Sequence, residues 1–144
     1  MKKRFFLLIV LLLPLTAAAQ KLTLETVAAH LRTDRISLQY AFTIAEPAPV
    51  QLSGTLLAQG ECYRAVGNGM EIYCDGTTRW TVDPESKEVY IETAESVEEL
   101  ALWQDNMKEL SLTDVRYLPL SDDLSPFFFD TAALDDSWVV TDLR

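Results

Sequence analysis

Cys62, Cys74, His30 and a few acidic pairs are the residues of this 144-residue chain whose types and spacing first invite a chemical reading. The two cysteines flank Gly67-Asn68-Gly69 symmetrically, so a hairpin centred on Asn68 would set them opposite each other, near the separation that a disulfide requires. An oxidising compartment would favour that bridge. The alternative is a pair of reduced packing cysteines, and the absence of a C-x-x-C spacing argues against a catalytic redox pair. His30 has no ligand set at metal spacing in its helix and reads as a solvated or partly packed imidazole. Asp122-Asp123 and Asp135-Asp136 fit no oxygen-ligand loop and read as solvated charges. One helical histidine assembles no Ser-His-Asp or Cys-His set, no glycine loop cradles a phosphate, and adjacent Glu98 and Glu99 point in different directions. No catalytic residue, metal or cofactor is therefore expected.

The elements that would position these residues centre on Gly54 to Thr93. Alternating apolar and polar residues there are broken by Gln59-Gly60, Gly67-Asn68-Gly69, Asp75-Gly76 and Asp83-Pro84, the punctuation of an antiparallel meander. Five short strands are expected, each paired with its sequence neighbour in one twisted sheet. With the hairpin centred on Asn68, Arg64, Val66, Met70 and Ile72 fall on the cysteines' face, and Tyr63, Ala65, Glu71 and Tyr73 on the reverse. Trp80 and Val82 share a face. Val89 and Ile91 line one side of the last strand, with Glu88, Tyr90 and Glu92 on the other.

Upstream, Met1 to Ala19 reads as a secretory signal: Lys2, Lys3 and Arg4 precede an apolar run from Phe5 to Leu13, and Ala17-Ala18-Ala19 supplies the small residues for cleavage before Gln20. A membrane anchor is disfavoured, because the run before Pro14 is much shorter than the roughly 20 residues that span a bilayer. One domain over residues 20–144 is expected. Twelve Lys and Arg against 22 Asp and Glu give a net charge of −10, and losing Lys2, Lys3 and Arg4 takes it to −13. So acidic a chain is not expected to bind nucleic acid or an anionic membrane surface.

Lys21 to Arg32 reads as a helix, with Leu24, Val27, Ala28 and Leu31 on one face and Thr23 as its cap. Arg35 to Ile44 changes to period two, placing Ile36, Leu38, Tyr40, Phe42 and Ile44 on one face of a strand that Pro47 and Pro49 end. A second helix is expected over Thr93 to Leu110, where Leu100, Trp103, Met107 and Leu110 make a stripe and Ser96 with Glu99 a capping box. Strands are expected again over Asp114–Leu120, Phe127–Asp130 and Trp138–Leu143. The fold class is mostly β with helices (α+β): a twisted antiparallel sheet with an N-terminal helix and one covering helix. Large apolar side chains on such a sheet must be covered by a helix, a ligand or another chain. The residues expected to bind lipid or a partner are Phe42, Ile44, Trp80, Val82, Val89, Ile91, Trp103 and Met107.

The order of these elements resembles the periplasmic outer-membrane lipoprotein carrier proteins, the LolA-like family. The resemblance rests on Asp75-Gly76-Thr77-Thr78-Arg79-Trp80 with Asp83-Pro84 and Glu88-Val89 following, then on Phe127-Phe128-Phe129-Asp130 and the ending Val139-Val140-Thr141-Asp142-Leu143-Arg144. It implies an incomplete half-open barrel whose concave apolar face, lidded by helices, holds lipoprotein acyl chains in the periplasm between inner- and outer-membrane transfer partners. Two departures stand out. The interval between Val89 and Phe127 is shorter than in the family, and Gly60-Glu61 stands where better-known carriers have an R-P pair. The shortened interval would leave an open sheet edge, which could pair with a second copy or another protein.

Overall fold

A computed structural model of the chain describes residues 25–94 and 107–144. The signal segment, the Thr23 cap and most of the expected covering helix, including Trp103, lie outside these residues. Eight strands form one sheet: β1 (Arg35–Ile44), β2 (Val50–Gln59), β3 (Cys62–Gly67), β4 (Met70–Cys74), β5 (Thr78–Asp83), β6 (Glu88–Thr93), β7 (Met107–Leu118) and β8 (Val139–Asp142). Their order is β7-β1-β2-β3-β4-β5-β6-β8. From β1 to β6 each strand pairs antiparallel with its sequence neighbour, as the short turns require. β7 adds antiparallel to β1, whereas β8 adds parallel to β6. The sheet is thus mixed rather than wholly antiparallel, because the chain crosses it between β7 and β8. It is not closed, since β7 and β8 lie at opposite ends of the order.

The turn between β3 and β4 sets the faces. Asn68 and Gly69 both have positive φ, 54° and 74°, the pattern of a two-residue type I′ hairpin turn. Gly67 therefore pairs with Met70, Ala65 with Ile72 and Tyr63 with Cys74. This overturns the three-residue turn centred on Asn68, and a slip of one residue flips every side chain of β4 to the other face. Cys62 pairs across to Gln59 instead, on the face opposite to Cys74, and both thiols are free. The expected Cys62–Cys74 disulfide is accordingly corrected to two unbridged cysteines.

One face of the sheet carries Tyr73, Trp80, Val82, Val89 and Ile91 as a buried cluster. The chain's own C-terminal segment covers this cluster on the first face. Gln59 donates from Nε2 to the Ser121 carbonyl (2.9 Å) and accepts from the Ser121 amide at Oε1 (3.1 Å). Arg35 donates to Gln59 Oε1 (3.0 Å) and to the Asp123 carbonyl (2.8 Å), and its guanidinium lies 5.1 Å from the ring of fully buried Phe127. Phe127 lies over β3 and β4. Phe129 then meets Tyr73, Phe128 meets Trp80 edge-on, and Leu134 and Trp138 complete the cluster. The expected strand over Phe127–Asp130 is corrected: Ser125–Phe127 is a 3-10 turn with Pro126 near its start, and the aromatic rings are used for packing rather than for a ladder.

The opposite, second face carries Ile36, Leu38, Tyr40, Phe42 and Ile44. Residues 25–30 are helical; Val27 forms a buried cluster with Ile36 and Leu38, against which Leu31, Tyr40, Leu56, Leu112 and Val115 pack. The Leu31 carbonyl accepts from Gly60 N–H (2.7 Å), tying this helix to the β2–β3 turn. His30 is partly packed, stacked on Tyr117 at 3.9 Å and hydrogen bonded to Asp34. The expected helix over Thr93–Leu110 does not fit its described ends, because Thr93 closes β6 and Met107 to Leu110 open β7. Pairing with β1 supplies backbone partners that override the local helical pattern, at the cost of two bulges marked by Glu109 and Asp114 at positive φ.

Gly54 and Gly67 meet between β2 and β3. A Cβ on Gly67 would lie 2.1 Å from the Ser53 carbonyl oxygen, and one on Gly54 would lie 2.3 Å from the Val66 carbonyl oxygen and 2.8 Å from the Tyr40 hydroxyl. These contacts are largely with backbone, which cannot swing away, so only glycine allows the two strands to approach here. Gly67→Ala is expected to destabilise the fold by about 1–3 kcal/mol, the usual cost of overpacking. Urea unfolding measures this as a lower midpoint at unchanged slope; a midpoint equal to the parent's would contradict the close approach.

Candidate functional site

On the second face, β1 presents Phe42 opposite Leu52 and Ile44 opposite Val50, with Met107 of β7 on the other side of Ile44. β3 and β4 continue the surface through Tyr63, Ala65, Met70 and Ile72. Phe42, Ile44, Leu52, Ile72 and Met107 are half-buried, and Val50 is half exposed. Tyr40 stacks on Phe42 with centroids 5.9 Å apart, and burial pushes its phenol above the ordinary range. The apolar surface ends at β5 and β6, where the same face carries the Arg79–Glu92 ion pair, Asp83, Glu88 and Tyr90. Tyr90 donates to Glu88 at 3.1 Å, and that bond together with the carboxylate charge raises its phenol. The second face is thus apolar over β7 to β4 and charged beyond.

The eight residues expected to form one surface fall into separate groups. Phe42, Ile44 and Met107 come together on the second face. Trp80, Val82, Val89 and Ile91 lie on the first face, buried beneath the C-terminal segment. Trp103 lies outside the described residues. Trp80, Val82, Val89 and Ile91 are therefore core rather than a ligand surface, because Phe128, Phe129, Leu134 and Trp138 already occupy the space above them. Leu52, Met70 and Ile72 were not among the residues expected from the sequence. The Asn68-Gly69 dipeptide was the signal that could have found Met70 and Ile72, since a two-residue turn assigns them to the face of Tyr63 and Ala65.

The reactive groups are spread apart. Burial pushes the Cys62 and Cys74 thiols up, with neighbouring acidic charge adding to the effect, so the nucleophilic thiolate form is suppressed. His30 and Asp34 form a hydrogen-bonded pair, which holds the Asp34 carboxyl below its usual range. Among the described residues, no three His, Cys, Asp or Glu side chains converge on a possible metal position. No helix among the described residues is long and apolar enough to cross a membrane. No protein-family model matches the chain, and no curated protein is similar to it at a significant level. Thiol titration of the unfolded, unreduced protein should find two free cysteines, and reaction of the folded protein should be slow. Finding no free thiol after unfolding would contradict the register of the β3–β4 hairpin.

Proposed function

We propose that the chain is an exported, non-enzymatic carrier in the manner of the LolA-like proteins it resembles, a periplasmic chaperone that shields lipoprotein acyl chains during transfer to the outer membrane. In this reading the open eight-stranded sheet acts as a half-barrel, and its second face is the acyl-binding surface. The observation that carries the reading is the contrast between the faces. The C-terminal segment covers the large apolar residues of the first face, while Phe42, Ile44, Leu52, Ile72 and Met107 remain only half-buried on the second. Apolar surface of this kind is stabilised by an apolar ligand. Each buried methylene contributes about 0.8 kcal/mol, so burial of six contributes roughly 5 kcal/mol before the cost of association. Donor and acceptor partners at the inner and outer membranes belong to the same proposal.

A second reading is an interaction module that covers its sheet with a protein partner or a second copy. The observation that favours it is the open edge at β8, where Val139, Val140 and Leu143 are exposed. The β7 edge is poorer for this purpose, because its bulges and its charged residues Lys108, Glu109, Asp114 and Arg116 discourage strand addition.

Displacement of a fluorescent fatty acid, run beside light scattering, separates the readings. The carrier reading expects saturable binding by a monomer, with Phe42→Glu and Ile44→Glu each lowering affinity at least about tenfold, since a carboxylate on that face must be desolvated. Circular dichroism checks that both variants remain folded. Absence of lipid binding together with a stable dimer would leave only the interaction module.

A further inference from the structure

The first face is not apolar throughout. Over β7, β1 and β2 the paired residues form two rows: Thr113, Gln39 and Thr55, then Ser111, Ala41 and Ser53. They line an open cavity of about 360 Å3, within the range of small-molecule sites. Its shape has a local cause. Ala41 sits at the centre of the second row with only a methyl group, and the five polar residues stand around it. The two β7 bulges fall beside the rows, between the partners of Ser37 and Gln39 and between those of Ala41 and Thr43. Bulges re-aim side chains and recur next to functional sites.

The chemistry of this cavity is uniform. Its five polar side chains are hydroxyls and one carboxamide, each able both to donate and to accept. None of them makes a hydrogen bond to another described residue, although hydroxyls and amides elsewhere on the sheet do so, as Gln59 does with Ser121. Among the described residues, no charged side chain lines the cavity. Neighbouring strands hold the groups about 4.8 Å apart, a spacing on the scale of two equatorial hydroxyls in a 1,3 relation on a pyranose ring. The methyl of Ala41 offers a small apolar floor for the C–H face of such a ring.

We propose that this end of the first face binds a neutral saccharide, with Gln39, Ser53, Thr55, Ser111 and Thr113 as its hydrogen-bonding partners and Ala41 as its floor. The site is independent of the acyl-binding surface, which lies on the opposite face of the same strands. An anionic ligand would find no cation among the described lining residues, and an acyl chain would leave the five polar groups unpaired.

Titration of the isotopically labelled protein with cellotetraose, maltotetraose and chitotetraose, followed through amide chemical shifts, tests the proposal. At least one is expected to give saturable shifts centred on Gln39, Ala41, Ser53, Thr55, Ser111 and Thr113. Ala41→Leu, which fills the floor, is expected to abolish those shifts. Thr55→Val, which removes one hydrogen-bonding group at nearly constant shape, is expected to weaken binding about 3- to 10-fold; it carries the test if Ala41→Leu does not fold. Absence of shifts at these residues with all three saccharides would overturn the proposal, as would binding by folded Ala41→Leu or Thr55→Val equal to the parent's.

Discussion

A two-residue turn, Asn68-Gly69, is the constraint on which the division of labour between the two faces depends. Both residues take positive φ, which asparagine tolerates and glycine takes freely, and the turn's twist matches that of the strands it joins. It brings Tyr73 to the side of Arg64 and sends Ile72 to the side of Ala65. From β4 the pairing propagates without a break: Tyr73 to Trp80, Trp80 to Ile91 and Val82 to Val89. One turn thus decides which face of β4, β5 and β6 carries the large apolar residues. It also decides that Cys62 and Cys74 do not meet.

Given those faces, the chain covers them by different means. On the first, the C-terminal segment crosses from the β7 edge to the β8 edge. It is anchored at one end by the paired hydrogen bonds of Gln59 to Ser121, in the middle by Phe127, and at the other end by the Val139 amide donating to the Lys87 carbonyl at 2.9 Å. Phe127, Val82 and Val89 are almost wholly removed from water, as expected of core. On the second face, the helical residues 25–30 cover the Ile36 and Leu38 end, and the cluster fades toward Phe42 and Ile44. The asymmetry between the covered Trp80 cluster and the partly covered Phe42 and Ile44 surface distinguishes core from ligand surface in this account.

Much of this was legible in the sequence. Arg35 to Ile44 alternates so regularly that β1 has the expected bounds, and the glycine and aspartate turns separate the meander strands where they should. Trp138 to Leu143 also contains a strand, although its parallel direction depends on a crossing that no local pattern encodes. Met107 to Leu110 misled because the apolar spacing of Met107 and Leu110 fits a helical stripe, whereas the unpaired edge of β1 selects a bulged strand. The candidate site was the least legible part for a reason of parity. Whether Phe42 and Trp80 share a face depends on every register between β1 and β5, and a single error of one residue reverses the answer. A three-residue turn at Asn68 would have put them together; the two-residue turn puts them apart.

The central claim is that an acyl chain lies on the second face and not over the Trp80 cluster. The most direct measurement is photolabelling with a fatty acid carrying a diazirine along its chain, followed by mass-spectrometric mapping of the modified residues. The account predicts adducts on Phe42, Ile44, Leu52 and Ile72, with residues 78–83 and 127–138 left unlabelled. Adducts concentrated on Trp80, Val82 or the phenylalanines that cover them would contradict it.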